Sequence, residues 1–442
     1  MKESRGPCPG WGNLPCGDAQ IFHPSHADQV AGILPGQALG VRGLGRSYGD
    51  AASAPRLLNA TTLRGDFALD QDKGLLRVGA GRSLGEVTAL TLPWGWAPAV
   101  LPGTRHVTVG GAVAADVHGK NHHVDGAFCR HVVGLRVLLA DGSAVDCSPS
   151  VEAELFGAVC GGMGLCGLVL EATLQLAPRR SSLFRRRTLP CAGLEQALDV
   201  LRGSSATHTV AWVDAATPGK ALGRSLVHLG DPDDGDGPLD PATEAWMGLP
   251  FLLPFNLVRP PLMRAFNQLV WTAGKGHRGQ EGHQAYSDFF WPLDAVQHWN
   301  RLYGRQGFLQ FQCLLPEGVL AQRGAEPFME LLRLFLKAGG GSLAVLKTMG
   351  PRNEATAPIA FPGPGATLAL DLPASPAGRE TLRRANHLVA DWGGRVYLAK
   401  DALLDAATFA RMTPGLGAWR ALRERWDPGR RWQTDMSKRL EL

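Results

Sequence analysis

The chain has 442 residues, of which 45% are hydrophobic and 19% charged, which excludes a disordered protein and leaves core enough for two or three domains. Glycine supplies 56 of the 442 residues without any collagen-like G-X-Y register, so it is expected where backbone turns tightly or approaches a ligand closely. The formal net charge of +5 is scattered, without the basic, aromatic-interleaved stripe of a nucleic-acid protein, and no nucleic-acid partner is expected.

The N-terminal MKESRGPCPGWGNLPCG lacks the apolar core of a secretory signal, and no apolar run long enough to span a bilayer follows it. The expected location is therefore cytoplasmic or peripheral to a membrane. Cys8, Cys16, Cys129, Cys147, Cys160, Cys166, Cys191 and Cys313 form no C-x-x-C pair, so most are expected as buried thiols in a reducing compartment rather than zinc ligands or disulfides.

Strand patterns alternate with glycine-rich turns in the first 178 residues: LLRVGAG (75–81), HVVGLRVLLADGSAVDC (131–147) with a hairpin at Asp141-Gly142, and GLVLEATLQLAP (167–178). Two helices are predicted between them. SLGEVTALTL (83–92) opens with a Ser83/Glu86 capping box, and SVEAELFGAVCGG (150–162) stops at glycine. RRSSLFRRR (179–187) reads as a solvated loop, with phosphate affinity as its alternative. Beyond residue 182, amphipathic helices (191–203, 327–341, 378–394) alternate with strands FLQFQCLLP (308–316), SLAVLKTMG (342–350) and ATLALDLP (366–373), a second α+β unit. GDPDDGDGPLDP (230–241) reads as its most mobile surface. The apolar stretch from Trp246 to Trp271 is broken by Pro250, Pro254, Pro260 and Pro261 and cannot be a simple transmembrane helix. Buried core or lid and interfacial patch both remain open for it.

Three glycine clusters bear on chemistry. GGMGLCG spells GxGxxG through Gly162, Gly164 and Gly167, but a helix precedes it and a strand follows, the reverse of a Rossmann site. GVRGLGRSYGDAA (40–52) suits a main-chain nest for a diphosphate. LPGTRHVTVGGAVAADVHGKNHH (101–123) is a small-residue tract that leaves room for a flat ring. His118, His122, His123, Cys129 and His131 lie close in sequence, but adjacent His122 and His123 would face opposite sides of a strand, and no metal is expected.

GLGRSYGDAA, VTVGGAVAADVHGKNHH, ELFGAVCGGMGLCGLV, FLQFQ, GPRN, YLAKD and DMSKRLEL, in that order, resemble the decaprenylphosphoryl-ribose oxidase branch of the vanillyl-alcohol oxidase/p-cresol methylhydroxylase family of flavoenzymes. The similarity covers nearly the whole chain except the loop around 225–280. It implies an α+β, two-domain p-cresol methylhydroxylase-type FAD-binding fold with an α+β substrate (cap) domain. The domains are expected at 1–181 (FAD-binding, first part), 182–394 (substrate) and 395–442 (C-terminal return to the FAD-binding domain). FAD would lie extended along Val41, Arg42, Gly43, Leu44, Gly45, Arg46, Ser47, Tyr48, Gly49, Asp50 and Ala51. It would continue along Gly103, Thr108, Val109, Gly110, Gly111, Ala115, Asp116, Val117 and His118, completed by Val169 and Tyr397. Tyr48 stands where many relatives attach flavin through a His, so the resemblance implies non-covalent FAD.

The family's activity implies FAD-dependent oxidation of the 2-hydroxyl of a polyprenylphosphoryl-β-D-ribose to the 2-keto sugar. This is half of an epimerisation, completed by a separate short-chain-type reductase, that supplies the arabinose donor of cell-envelope glycan. Lys400 and His118 are the catalytic candidates. Trp212, Gln310, Gln312, Lys347, Tyr397 and Lys400 would bind substrate, with Lys347 or Arg352 neutralising phosphate. By residues alone, Lys400 equally suits a surface lysine paired with Asp401. Ala369 and Thr367 depart from the cysteine and amide side chain of mycobacterial members. An alditol or aldonolactone oxidase, and a non-catalytic flavin scaffold for the reductase, remain alternatives.

Overall fold

A computed structural model describes residues 1–34, 36–240 and 247–442; Pro241 of the 230–241 loop and Trp246 of the apolar stretch lie outside the described residues. Among these residues the chain forms two α+β layers that meet at one cavity.

The first layer holds two sheets. A four-stranded sheet runs in the order Lys2–Pro7, Asp18–His23, Arg56–Asn59, Gly40–Arg42, the last two joins parallel. The second is built on the long strand Leu168–Pro178, flanked by Leu75–Gly79 and Val132–Leu138, with Phe67–Asp70 and Ala144–Cys147 at the edges and Trp96–Pro98 at the far end of the long strand. The hairpin at Asp141-Gly142 forms as expected, with Gly142 at φ +87° and Ser143 N–H bonded to Asp141 Oδ1. Helix Leu84–Thr91 carries the capping box: Glu86 N–H donates to Ser83 Oγ at 3.1 Å and Ser83 N–H to Glu86 Oε2 at 2.8 Å. The helix expected from 150 begins only at Ala153, because Glu152 adopts a left-handed φ of 45° that no helix continues through.

The second layer is an eight-stranded antiparallel sheet. Its order is Glu281–Ala285, Leu183–Cys191, Ser225–Pro232, His208–Val213, Ala344–Met349, Gly365–Pro373, Phe308–Pro316, Arg395–Val396. Helices Leu194–Gly203, Glu326–Lys337 and Pro376–Asp391 cover one face and bury Leu346, Leu368, Leu370 and Phe311. The opposite face turns to the cavity. The solvated-loop reading of 179–187 is corrected here: from Leu183 the segment is a strand inside the sheet. Its arginines mask a period of two, in which Phe184 is fully buried while Arg186 and Thr188 converge on His228 Nδ1 at 2.7 and 3.0 Å. His122 and His123 likewise lie on a helical turn, His122–Asp125, and not on a strand.

Six of the cysteines are buried, Cys8 is half-buried and Cys16 exposed, all as free thiols. No described helix is long and apolar enough to cross a membrane. The apolar stretch is neither core nor a covered lid: Phe251 is 64% exposed, Leu269 71%, and Phe255, Leu262 and Phe266 about as open. In its helix Pro260–Gly276 the one buried residue is polar, Asn267. Asn267 donates to Asp214 Oδ1 at 2.7 Å, and Arg224 Nε donates to Asp214 Oδ2 at 2.9 Å. The helix thus leaves Leu262, Phe266 and Leu269 exposed, while Met263, Asn267, Val270 and Trp271 are its more covered side chains.

Candidate active site

Between the layers lies a cavity of about 350 Å3. One end is built from main chain. Gly43 to Ser47 follow strand Gly40–Arg42, and among the described residues the N–H groups of Leu44, Gly45, Arg46 and Ser47 find no acceptor in the protein. Successive unpaired N–H groups on a cavity wall form an anion-binding nest. Gly45 sits at φ +66°, where a side chain would collide with the Arg42 guanidinium, so glycine is required for the turn. Opposite it, helix Val109–Ala114 is capped by Thr108, whose Oγ1 accepts from Gly111 N–H at 3.1 Å. Gly110, Gly111, Ala114, Ala115, Gly164 and Gly167 leave a shallow trough between the two. A free donor nest beside a trough of small residues fits a diphosphate joined to a flat ring, the shape of FAD. The GxGxxG run contributes Gly164 and Gly167 to this wall after helix Ala153–Val159 and before strand Leu168–Pro178, an order unlike that of a Rossmann site.

The other end is the open face of the eight-stranded sheet. Cross-strand pairs Gln310↔Asp371, Gln312↔Ala369, Lys347↔Thr367 and Val345↔Ala369 place all seven side chains on one face by the two-residue period. Gln312 Nε2 donates to Thr367 Oγ1 at 3.0 Å and to His118 Nε2 at 2.9 Å. His118 Nδ1 lies 3.0 Å from Lys347 Nζ, which also reaches the Gly119 carbonyl at 3.3 Å. Burial, reinforced by Lys347, holds His118 well below the usual histidine range, so the ring is neutral. Burial pushes Lys347 down to about 7, which suits an amine that accepts from His118 Nδ1–H.

Lys400 is placed from both layers. Its segment Tyr397–Asp401 is bonded to the substrate-side sheet through Tyr397 N–H to Gln312 O at 2.9 Å and to the nest loop through Tyr48 N–H to Ala399 O at 3.0 Å. The amine lies 3.9 Å from the centroid of the Tyr48 ring. Among the described residues its Nζ has no hydrogen-bond partner and faces the cavity. Burial pushes Lys400 down to about 7, Asp371 raises it and Lys347 lowers it. Asp371 is fully buried, accepts from Gln310 Nε2 at 2.6 Å and from Tyr303 O–H at 3.2 Å, and is pushed up to about 7 by its own burial. The pairing of Lys400 with Asp401 does not form. Asp401 is bound by Arg439 at 2.9 Å, and Arg439 also grips Asp50 with two hydrogen bonds of 2.9 and 2.6 Å.

Most of the residues expected from sequence converge here. Val41, Gly43 to Tyr48, Ala51, Gly103, Thr108, Gly110, Gly111, Ala115, Val117, His118, Val169, Tyr397, Gln310, Gln312, Lys347 and Lys400 line the cavity. Several do not reach it. Arg42 is consumed by the Cys8, Pro9 and Ala52 carbonyls, Gly49 abuts the Asp401 carbonyl, and Asp50 holds Arg439. Val109 is core, and Asp116 is buried against Cys129 N–H at 2.9 Å. Trp212 shares the cavity face one strand beyond Val345 without lining the cavity, and the Arg352 guanidinium is bonded to the Ala357 carbonyl. Asp371, Tyr303, Val345, Trp11, Asp294 and Trp299 escape the sequence reading. The period-2 pattern of ATLALDLP carried a signal for Asp371, whereas the others arrive from segments distant in sequence.

An FAD-binding domain family matches residues 19–148. Decaprenylphosphoryl-beta-D-ribose oxidase of Mycolicibacterium smegmatis is 32% identical over 98% of this chain and 97% of its own length. An uncharacterised protein in the mprA 5′ region of Streptomyces coelicolor is 32% identical over 81% of this chain and 100% of its own. The rat Delta(24)-sterol reductase is 35% identical over 29% of this chain and 24% of its own length.

Proposed function

The chain belongs to the decaprenylphosphoryl-β-D-ribose oxidase family of FAD-dependent oxidoreductases, and we propose that it oxidises the 2-hydroxyl of a polyprenylphosphoryl-β-D-ribose to the 2-keto sugar. The observation that carries the reading is Lys400: an unpartnered cavity amine near neutrality, backed by Asp371, at the junction of the FAD trough and a polar sheet face.

When bound, FAD supplies the acceptor for the hydride that leaves the carbinol carbon. The chain handles the proton and the position of the sugar. Neutral Lys400 takes the hydroxyl proton as the carbonyl forms, and Asp371 stabilises the resulting ammonium. His118, fixed between Gln312 and Lys347, stays neutral and forms one wall of the sugar site. Gln310 and Gln312 present amides to sugar hydroxyls from one strand face. Tyr397 O–H donates to the Ala115 carbonyl at 3.1 Å, tying the substrate-side wall to the ring trough.

The product would pass to a separate reductase that completes the epimerisation. Peripheral membrane contact is part of the same proposal. Its support is the exposed Leu262, Phe266 and Leu269 of helix Pro260–Gly276, with exposed Phe251 and Phe255 before it. Between Met247 and Gln280 the sequence holds Arg259, Arg264, Lys275 and Arg278 and no acidic residue, the chemistry of an anionic lipid surface.

The test is anaerobic bleaching of the purified, acid-releasable flavin. Polyprenylphosphoryl ribose should bleach it and alditols should not. Bleaching by alditols alone would assign a polar-sugar oxidase, and bleaching by neither would leave a flavin scaffold.

A further inference from the structure

We propose that the Arg46 side chain, as distinct from the main-chain nest it belongs to, is the anchor for the substrate's phosphate. The inference rests on the polyprenylphosphoryl sugar reading above. Arg46 lines the cavity with its guanidinium 3.9 Å above the Trp11 ring, which fixes the plane of the fork by stacking. Its Nε is buried without a hydrogen-bond partner, and among the described residues the rest of the guanidinium makes no hydrogen bond or ion pair. A planar five-donor cation, pre-oriented and unsatisfied beside a cavity, is arranged for a bidentate oxyanion.

Lys347 and Arg352, the cations expected in this role, and Arg42 of the same loop are already engaged. Arg42 spends its fork on three carbonyls, Arg352 donates to the Ala357 carbonyl, and Lys347 is held by His118 and the Gly119 carbonyl. Asp294 faces Arg46, yet its oxygens are occupied by Thr104 O–H and Arg105 N–H, both at 2.8 Å, with Arg105 Nε 3.8 Å away.

The order of groups along the cavity supports the assignment. His118, Gln312 and Lys400 lie at the polar end, and the Lys400 amine sits over the Tyr48 ring. Arg46 is two residues before Tyr48 and contacts Trp11, whose ring lies 5.8 Å from Trp299. Trp299 and Val258 both pack against the cluster of Tyr48, Tyr303 and Phe308, and the chain before Val258 runs into exposed Leu257, Phe255, Leu252 and Phe251. A reactive polar pocket, one unsatisfied guanidinium and an apolar exit follow one another in the sequence of the substrate's own parts: sugar, phosphate, polyprenyl tail.

The experiment uses the flavin-loaded full chain with farnesylphosphoryl-β-D-ribose as substrate. Arg46→Gln should keep its flavin and raise KM about 10- to 100-fold, the loss expected for a charge-assisted bidentate pair; Arg46→Lys, which keeps the charge without the fork, should fall between. Loss of flavin from the folded variant would give the side chain to the cofactor and overturn the proposal, as would an unchanged KM. A measurement on the unaltered enzyme stands independently of variant folding: farnesyl phosphate should inhibit at least tenfold more tightly than farnesol, and equal inhibition would overturn it. If the unaltered enzyme fails to oxidise the phospholipid sugar at all, the functional reading fails rather than the anchor.

Discussion

Asp371→Asn isolates the electrostatics of the catalytic amine. The substitution keeps side-chain volume and an oxygen for Gln310 Nε2, which stands 2.6 Å from Asp371 Oδ1, and removes only the charge. Burial pushes Lys400 down to about 7 while Asp371 holds it up. An opposite charge facing an amine in such surroundings shifts it by about 1–3 units. Its loss should lower Lys400 by at least about 1 unit, ~1.4 kcal/mol in favour of the neutral amine. The sign follows from the role: a base acts when deprotonated, so the rate rises with pH through the amine's titration, and the variant's rise moves to lower pH. Because burial also pushes Asp371 up to about 7, the rise in the unaltered enzyme belongs to the pair, whereas in the variant it belongs to Lys400 alone. Normalised to its own plateau, the rate at pH 6 should be about one-half in the variant against about one-tenth in the parent for a 1-unit shift. The plateau itself falls, because a weaker base transfers the proton less readily. Anaerobic stopped-flow bleaching across the pH range measures both. A variant whose rise lies at or above the parent's would refute Asp371 as the counter-ion of Lys400.

Further outcomes are expected. Lys400→Ala should retain flavin yet slow bleaching by about 10²–10⁴-fold, the usual range for a lost general base; bleaching at the parental rate would remove Lys400 from the mechanism. Arg439→Gln leaves the buried Asp401 carboxylate unpaired, and breaking such a contact costs roughly 3–5 kcal/mol, so thermal denaturation should come earlier, with flavin released more readily. An unchanged melting temperature would show that Asp401 is satisfied otherwise. Phe266→Gln combined with Leu269→Gln replaces two exposed apolar side chains on helix Pro260–Gly276 and should leave melting unchanged while reducing sedimentation with anionic vesicles severalfold. Undiminished sedimentation would place membrane contact elsewhere.

The sequence made the cofactor half more legible than the substrate half. Gly43 to Tyr48 and Thr108 to His118 are contiguous runs that the family resemblance carries over as blocks, and most of their residues line one trough, with Val109 and Asp116 turned away from it. Gln310 with Gln312, and Lys347, were accessible through strand periodicity, because a two-residue step fixes the face. Contacts between distant segments were not accessible. Arg439 reaching Asp401, Trp11 stacking on Arg46, and Asp294 closing on Thr104 depend on chain crossings that no local pattern encodes. The strand at 183–191 was hidden for a different reason: its arginines look solvated by composition, although Arg186 points inward to His228. Trp212 failed in the opposite way, being on the right face but one strand too far out.

The segment Tyr397–Asp401 has a consequence for how substrate enters. It is hydrogen-bonded to Gln312 on one side and Tyr48 on the other, so it rivets the two halves together at the catalytic amine itself. A jaw-like parting of the halves would break one of these bonds and carry Lys400 off with the other half. Traffic should therefore run past Trp11, Leu293 and Trp299, which line the cavity outside the riveted segment. An enzyme of this design releases product by repacking a doorway, and its turnover should respond to bulk at those three positions more than to anything that stiffens the body behind them.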